Sequence, residues 1–384
     1  MHTLRQLLWQ ENQQDCLGLW RSEAPLPRRV VLADDTLPAD AAYRMACEGT
    51  GLLWRGDFQN ARHLLQALLR RLDRPRRGKA RSPAKEASPA AAFHAHRQAQ
   101  AQRARVLGML LIELQGDYSL ALRRAPDVRQ ACTEAWGEPD GQASVVPLRS
   151  LQGLVGAHEW RKKGVPVAAL GGAHIHPHYG VFSPVRGEYL DLVARAPLPA
   201  ALAHTPYAFD IGVGTGVLSA VLARRGVARV VATDLSDRAL ACAADNLQRL
   251  DLTDRVTLLK ADLFPPGQAA LVVCNPPWLP ARPTSTLEQA VYDEDSGMLR
   301  GFLSGLATHL SEGGEGWLIL SDLAEHLGLR TREQLLHWIQ AAGLVVLDRL
   351  DVRPRHGKVQ DTSDPLHAAR SAEVTSLWRL GSDL

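Results

Sequence analysis

The stretch Phe209–Gly216 decides the fold, and it reads Phe-Asp-Ile-Gly-Val-Gly-Thr-Gly. A short apolar segment precedes it, and the helical pattern Val217–Arg225 follows it. Glycines between a strand and a helix permit a tight turn and a close approach of a ligand to the backbone. Val217 stands where a dinucleotide-binding fingerprint has its third glycine. The turn therefore favours a ligand with an amino-acid end and no phosphate; an ordinary strand-to-helix turn is the alternative.

Two acidic residues follow the next two predicted strands. Asp234 ends the strand at 229–233 and lies 22 positions after Gly212. A carboxylate at that place can accept hydrogen bonds from both hydroxyls of a ribose; the alternative is a solvated or helix-capping residue. Asp262 follows the strand at 256–259, where it can accept from the amino group of an adenine that neighbouring apolar residues flank. By itself, Asp262 is an ordinary loop residue.

The motif Asn275-Pro276-Pro277-Trp278 follows an apolar strand at 271–274. Two prolines make a turn rigid and remove backbone donors, so the carbonyl of Pro276 and the side-chain oxygen of Asn275 are left as acceptors for an NH2 group. Trp278 offers a flat face on which an amide or a base can stack. Holding both N–H groups of a planar NH2 frees the lone pair of its nitrogen and stabilises the charge that develops during transfer. A rigid turn at a strand end is the alternative.

Together, these motifs resemble those of the class I S-adenosylmethionine-dependent methyltransferases, in the N-methylating branch that includes the release-factor glutamine methyltransferases and the adenine-N6 methyltransferases of DNA and RNA. The resemblance covers roughly residues 165–380 and implies S-adenosyl-L-methionine as the cofactor. The cofactor-binding residues that it implies are Asp210, Gly212, Gly214, Thr215, Gly216, Asp234, Asp262, Leu263 and Asn275. The residues that it implies at the target nitrogen are Asn275, Pro276, Pro277 and Trp278.

An upstream segment, His178–Leu190, occupies the place of the segment that covers the cofactor in these families. Pro184, Arg186 and Glu188 are expected to pack over the methionine end; a hairpin that leads into a helix is the alternative.

Two further features bear on which group accepts the methyl. Trp278 stands where the glutamine methyltransferases usually have Tyr, whereas the late stretch 370–378 resembles the ending of those enzymes.

The whole chain has 384 residues, of which 46% are hydrophobic and 22% charged, and its formal net charge is +3. These values exclude a disordered chain, a collagen-like chain and a small disulfide scaffold. No apolar run is long enough to cross a bilayer, and the N-terminus lacks the pattern of a secretory signal. Five scattered cysteines, an odd number without metal-site spacing, indicate reduced thiols in a cytoplasmic protein.

Strands and helices alternate from about residue 145 to the end. This alternation predicts an α/β fold, with a doubly wound, mostly parallel, Rossmann-like sheet in a methyltransferase domain at 141–384. Residues 1–140 are predicted to form a mainly helical region, whose role is either substrate recognition or structural packing. A linker rich in Pro, Ala and Arg is predicted at about 73–103. The basic stretch 70–85 is either solvated or a contact for nucleic-acid phosphates.

The predicted reaction is transfer of a methyl group from S-adenosylmethionine to the nitrogen of a planar NH2 on a macromolecule. A protein glutamine amide of the release-factor kind is the preferred acceptor. The alternative is an adenine-N6 amino group in rRNA, tRNA or DNA, which Trp278 and the basic stretch support. A third class is a non-catalytic protein that binds S-adenosylmethionine and assists ribosome assembly, but the intact motif at 275–278 disfavours it. We expect no membrane partner and predict no oligomeric state.

Three other motifs carry weaker predictions. The alternating His174, His176 and His178 share one face if they lie on a strand, but no acid or cysteine joins them nearby, so we expect no metal site. The acidic run Asp293–Asp295 is either a solvated loop or a lid that contacts the substrate. The basic stretch Arg353–Lys358 is either a phosphate contact or an exposed hairpin.

Overall fold

The computed structural model of the chain describes residues 5–74, 88–184, 187–284, 286–354 and 361–383. The chain forms two compact units, Met1–Glu86 with His94–Glu159 and Ala87–Phe93 with Trp160–Leu384. Some predicted features lie outside the described residues: positions 75–85 of the basic stretch, Arg186 of the covering segment, and 355–358 of the late basic stretch. In the part that is described, no helix is long and apolar enough to cross a membrane.

The first unit is built on a six-stranded sheet with the strand order β1-β2-β6-β5-β4-β3. Neighbours β3, β4 and β5 are parallel, whereas β5 and β6 are antiparallel. The strands are β1 (Gln6–Glu11), β2 (Gln14–Trp20), β3 (Arg29–Ala33), β4 (Thr50–Trp54), β5 (Leu110–Leu114) and β6 (Ser144–Pro147). The helices that begin or end in this unit are α1 (Ala39–Glu48), α2 (Phe58–Asp73), α3 (Pro89–Leu107), α4 (Arg129–Trp136) and α5 (Leu148–Lys163).

This sheet corrects the expectation of a mainly helical region at 1–140. β4 and β5 are short and buried along nearly their whole length, and a short apolar run has no periodicity that distinguishes a strand from a helix. The predicted domain boundary between residues 140 and 141 also differs from the structure. β6 pairs with β2 and β5 and therefore belongs to the first unit. The expected linker at 73–103 is also shorter in the structure, since α3 already begins at Pro89.

The second unit contains a seven-stranded sheet with the order β11-β10-β9-β12-β13-β15-β14 and a separate pair, β7 with β8. Its strands are β7 (Val165–Pro166), β8 (His174–Ile175), β9 (Tyr207–Ile211), β10 (Arg229–Asp234), β11 (Val256–Lys260), β12 (Ala269–Cys274), β13 (Leu310–Ser321), β14 (Leu344–Val352) and β15 (Thr375–Ser382). Its helices are α6 (Glu188–Arg195), α7 (Val217–Arg224), α8 (Asp237–Arg249), α9 (Gly297–His309), α10 (Leu323–His326), α11 (Arg332–Ala341) and α12 (His367–Ala372).

The seven-stranded sheet confirms the predicted doubly wound, mostly parallel architecture. β15 alone is antiparallel to both of its neighbours, and helices cover both faces. Leu190 of α6 and Val221 of α7 belong to the buried cluster on one face, whereas Phe302 of α9 and Leu335 of α11 belong to the cluster on the other. Ser236 caps α8, because its hydroxyl accepts the amide hydrogen of the third helical residue.

Candidate active site

The carboxyl ends of neighbouring parallel strands lie at one edge of the second sheet. Ile211 of β9 is level with Thr233 of β10 and with Cys274 of β12, and Asp234 of β10 is level with Lys260 of β11. The glycine turn, the two acidic positions and the Asn-Pro-Pro-Trp turn follow these strand ends directly. Open α/β sheets bind their ligands at this edge, so the topology brings together motifs that are far apart in sequence.

The glycine turn depends on three backbone conformations that side chains rarely permit. Gly212, Gly214 and Gly216 have φ values of 79°, 52° and 81°, which lie in the left-handed region. The amides of Gly212 and Val213 both donate to the carbonyl oxygen of Thr233, at 2.9 and 2.8 Å. The turn is thereby fixed to the end of β10.

The space around the turn differs from one glycine to the next. A Cβ atom at Gly212 would lie 2.9 Å from Cε of Met298 in α9, and one at Gly216 would lie 3.3 Å from Cα of Ala243 in α8. A Cβ at Gly214 would meet no heavy atom within 4 Å. The outer glycines therefore pack closely against two helices, while Gly214 faces open space.

Asp210 lies behind the turn rather than in it. The residue is fully buried, and its Oδ2 accepts hydrogen bonds from the amide (3.0 Å) and the hydroxyl (2.6 Å) of Ser219 in α7. Among the described residues, its Oδ1 has no hydrogen-bond partner. Burial raises the pKa of Asp210 from 3.8 to about 6, against the opposing effect of the Ser219 hydrogen bonds. Asp210 thus joins β9 to the first turns of α7.

Asp234 is oriented by two backbone amides. Its Oδ2 accepts from the amide of Gly214 at 3.1 Å, and its Oδ1 accepts from the amide of Ser236 at 2.9 Å. Each carboxylate oxygen retains a lone pair for a further donor. The carboxylate therefore lies beside the glycine turn with a fixed orientation.

Asp262 is exposed in the loop after β11, and the next residue, Leu263, has a φ of 64°. The carbonyl of Leu263 accepts a hydrogen bond from the hydroxyl of Thr233, which ties this loop to β10. Phe264 stacks on His309, with ring centroids 4.2 Å apart, and on Phe302 at 5.9 Å. Both of these partners belong to α9, so Phe264 packs into the domain.

The Asn-Pro-Pro-Trp turn contains an internal hydrogen bond. Nε1 of Trp278 donates to Oδ1 of Asn275 over 2.9 Å. Pro276 is buried, whereas Asn275, Pro277 and Trp278 are half-buried. An amide oxygen has two lone pairs, so Oδ1 of Asn275 can accept one more hydrogen bond. The sequence predicted Oδ1 of Asn275 as a hydrogen-bond acceptor, but not that Nε1 of Trp278 donates to this oxygen and orients it.

The segment upstream of α6 is tied to α8 at several points. The amide of His176 donates to Oδ1 of Asn246 at 2.6 Å, and the His178 ring lies 3.0 Å from Oδ2 of Asp245. Nδ2 of Asn246 donates to the carbonyl of Thr215 at 3.1 Å. The buried Asn246 therefore connects this segment to the glycine turn.

The later part of the same segment leads into α6. Pro184 is buried, and Glu188 is the first residue of α6. Tyr189 is buried, and burial raises the pKa of its phenol, with the nearby Asp210 carboxylate adding to that effect.

The three alternating histidines do not converge. His176 places its Nδ1 2.6 Å from the carbonyl oxygen of Arg161, and His178 faces Asp245. Within the described ranges, no group of three His, Cys, Asp or Glu side chains is placed to hold a metal ion.

Residues 172–331 match the family model for the methyltransferase small domain. This segment is similar to the methyltransferase small domain family. It contains every residue that the sequence predicted for the site, from Asp210 to Trp278.

The relatives of this segment include release factor glutamine methyltransferases, a ribosomal protein L11 methyltransferase and tRNA1(Val) (adenine(37)-N6)-methyltransferases. The chain is 32% identical over 177 residues to the release factor glutamine methyltransferase of Cereibacter sphaeroides, covering 41% of this chain and 61% of that protein. It is 41% identical over 106 residues to the corresponding protein of Caulobacter vibrioides, covering 26% and 36%. It is 29% identical over 188 residues to the tRNA1(Val) (adenine(37)-N6)-methyltransferase of Shewanella amazonensis, covering 47% and 76%. The matched part spans about a third to three fifths of the first release factor relatives.

Two residues near the candidate site were missed or misjudged from sequence. The sequence carried only a weak signal for Asn246, because this residue stands out only as a polar residue on an apolar helix face, four positions after Cys242. Asp293 was predicted to lie in a solvated loop or a lid, but its carboxylate accepts the amide hydrogens of Met298 (2.9 Å) and Leu299 (3.2 Å) in the first turn of α9. Burial raises the pKa of this Asp293 carboxyl. Asp293 is therefore a cap that holds Met298 against the glycine turn.

Proposed function

We propose that this chain is an S-adenosylmethionine-dependent N-methyltransferase that acts on a planar NH2 nitrogen of a macromolecule, with a protein glutamine amide as the preferred acceptor. The observation that carries the proposal is the turn at 275–278. It stands at the carboxyl end of β12, next to the glycine turn after β9, with Oδ1 of Asn275 held by Trp278.

The residues at the edge of the sheet fit S-adenosylmethionine. The open space beside Gly214 accommodates the amino-acid end of a ligand next to the backbone. The Asp234 carboxylate retains one lone pair on each oxygen for the two ribose hydroxyls. Asp262 is exposed in the loop of the next strand, where it is available to an adenine amino group. When bound, S-adenosylmethionine supplies an electrophilic methyl group on a sulfonium.

The turn at 275–278 prepares the nitrogen that accepts the methyl group. Oδ1 of Asn275 and the carbonyl of Pro276 accept the two N–H groups of a planar NH2, while the indole of Trp278 stacks on the plane. Two directed hydrogen bonds draw the nitrogen toward a tetrahedral shape, which frees a lone pair otherwise delocalised into the amide or ring. They also stabilise the positive charge that develops. The rest of the catalysis is alignment, and the proton leaves after the new bond has formed.

The choice of glutamine is supported by the release factor glutamine methyltransferases among the relatives. A second candidate acceptor is the N6 amino group of adenine. It is supported by the tRNA methyltransferase of Shewanella amazonensis, of which the match covers 76%, and by Trp278. Both acceptors present the same planar NH2. The five cysteines are free thiols, in keeping with the cytoplasmic location that we propose.

The test is transfer of a labelled methyl group from S-adenosylmethionine to a fractionated bacterial lysate. For a protein acceptor, label survives treatment with RNase and DNase, is lost on proteolysis, and is found by mass spectrometry on a glutamine side chain. Label that disappears with RNase or DNase identifies the adenine acceptor instead. Binding of S-adenosylhomocysteine, measured by isothermal titration, is the prior condition, and its absence contradicts the proposed enzyme. Full activity in an Asn275→Ala variant contradicts the role of the turn.

A further inference from the structure

The main chain of Asp293 is tied to the residue that follows the Asn-Pro-Pro-Trp turn. The amide of Asp293 donates to the carbonyl of Leu279 at 2.9 Å, and the amide of Leu279 donates to the carbonyl of Val291 at 3.2 Å. Leu279 also forms an isolated β-bridge with Tyr292, which lies between these two partners. The end of the turn is therefore fixed to the segment 291–293.

The side chain of Asp293 reaches in the other direction, to the start of α9. Its Oδ2 accepts the amide hydrogens of Met298 at 2.9 Å and Leu299 at 3.2 Å, and its Oδ1 lies 3.1 Å from the same Met298 amide. These amides belong to the first turn of the helix, which has no acceptors of its own for them. Met298 in turn lies against Gly212, where an added Cβ would come within 2.9 Å of its Cε. One residue thus connects the Asn-Pro-Pro-Trp turn to the helix that supports the glycine turn.

α9 also supports the loop after β11, which contains Asp262. Two glycines of the helix allow this loop to approach closely. An added Cβ would come within 2.7 Å of Leu263 at Gly301, and within 2.5 Å of Phe264 at Gly305. Packing as close as this leaves little room for the loop to move on the helix. Both loops that are proposed to bind the cofactor therefore rest on α9.

The short connection between Asp293 and α9 has an unusual backbone. Asp295 and Ser296 are consecutive residues other than glycine with left-handed φ values of 56° and 55°. Aspartate visits this region more readily than serine does. Such conformations persist only where the surrounding structure holds them, and they are common at sites whose function depends on exact geometry. The cap that Asp293 provides is the contact that holds this connection.

The two cofactor loops stay together without Asp293. The amides of Gly212 and Val213 bond to the carbonyl of Thr233, and the hydroxyl of Thr233 bonds to the carbonyl of Leu263. Loss of the Asp293 side chain should therefore move the Asn-Pro-Pro-Trp turn relative to these loops, while the loops keep their places relative to each other.

We propose that Asp293 is a positioning residue for methyl transfer, which sets the distance between the nitrogen held at 275–278 and the methyl group of bound S-adenosylmethionine. This inference rests on the proposed function and holds for a glutamine amide and for an adenine amino group alike. Asp293 acts through Leu279 and α9 and touches neither reactant. A displacement of about 1 Å between reacting groups can slow a reaction about a hundredfold.

The test compares Asp293→Ala with the matched control Thr331→Ala. Thr331 caps α11, on the same face of the sheet, where its hydroxyl accepts the amide hydrogen of Gln334 at 3.1 Å. Both variants lose a helix cap, so both should lower the melting temperature. Only Asp293→Ala should lower kcat, by about ten- to hundredfold, with the affinity for S-adenosylhomocysteine unchanged in isothermal titration. The acceptor for these assays is the one purified from the lysate fraction that takes up label.

The conservative variant Asp293→Asn separates the cap from the charge. Its side-chain oxygen can accept from the same amides, so we expect it to keep most of the wild-type kcat. A loss as large as that of Asp293→Ala would show that the charge acts and not the cap, and would overturn the inference. If Asp293→Ala does not fold, Asp293→Ser, with a shorter capping group, takes its place under the same criteria.

Three other results contradict the inference. The first is a wild-type kcat in Asp293→Ala, and the second is an equal fall of kcat in Thr331→Ala. The third is a loss of S-adenosylhomocysteine affinity as large as the loss of kcat, because Asp293 would then only keep the cofactor loops folded. All of these leave the proposed methyltransferase standing. Failure of the wild-type protein to bind S-adenosylhomocysteine contradicts the proposed function itself, and the inference with it.

Discussion

Nε1 of Trp278 donates a hydrogen bond of 2.9 Å to Oδ1 of Asn275. The aromatic residue proposed to stack on the acceptor thus also holds the oxygen proposed to bind its NH2. The interaction uses one of the two lone pairs of Oδ1 and fixes the amide plane, which leaves the second lone pair in a set direction. The two side chains therefore form one unit, and a change in either alters both functions.

Trp278→Phe keeps an aromatic face and removes this hydrogen bond. We expect kcat to fall about tenfold, since the Asn275 amide can then rotate away from the acceptor, while binding of S-adenosylhomocysteine is unchanged. Steady-state kinetics and isothermal titration measure the two effects. The control is Trp160→Phe, because Trp160 is exposed at the end of α5. Wild-type kcat in Trp278→Phe would show that the hydrogen bond has no part in catalysis.

Asp234→Asn replaces a carboxylate that accepts from Gly214 and Ser236 and is proposed to accept from the ribose. An amide has only one acceptor oxygen, so we expect S-adenosylhomocysteine to bind about ten- to hundredfold more weakly. Asp237→Asn is the matched control, three residues further on in α8, where the carboxylate is exposed and pairs with Lys260. If Asp234→Asn and Asp237→Asn bind S-adenosylhomocysteine equally tightly in isothermal titration, the ribose does not bind at Asp234.

Gly212→Ala places a methyl group in a left-handed conformation and 2.9 Å from Cε of Met298. The conformation alone costs about 1–2 kcal/mol, and displacement of Met298 adds to this cost. Gly226→Ala is the control, because Gly226 also has a positive φ (99°) but a Cβ there would meet nothing within 4 Å. Urea unfolding should show a larger loss of unfolding free energy for Gly212→Ala than for Gly226→Ala. Adding Met298→Ala to Gly212→Ala should remove the part of this loss that comes from the contact with Met298. A loss no larger than that of the control would mean that Met298 moves without cost.

Asp210 makes the stability of the protein depend on pH. Burial raises its pKa to about 6 in the folded state, above its ordinary value of 3.8, so the folded state binds the proton more tightly than the unfolded state. This group therefore lowers the free energy of unfolding as pH rises from about 4 to about 6.

Asp210→Asn removes this titration and keeps an acceptor for Ser219. Relative to the wild type, the variant should gain roughly 3 kcal/mol between pH 4 and pH 7. Urea unfolding across this range measures the gain, with Asp254→Asn, at an exposed position, as the control. A stability difference that grows as the pH falls has the opposite sign and would contradict a raised pKa.

The second sheet could be predicted because its strands and helices alternate along the chain and follow glycine and capping signals. Ser236 caps α8, and Val217 begins α7 directly after the glycine turn. The first sheet could not be predicted, because β4 and β5 are buried runs of five residues whose strand character appears only when they pair. Asp293 was misjudged for a related reason: an acid in a loop has no signal that separates a helix cap from a solvated residue.

The sequence by itself determined the glycine turn, the acidic positions 234 and 262, and the Asn-Pro-Pro-Trp turn, because each depends on local backbone geometry and residue chemistry. Only the tertiary structure decided what orients them. The parallel register sets the strand ends level, Asp234 bonds to Gly214, and Asn246 joins Thr215 to a segment about 70 residues upstream. Hydrogen bonds and burial between distant segments arise from packing, which local sequence patterns do not encode.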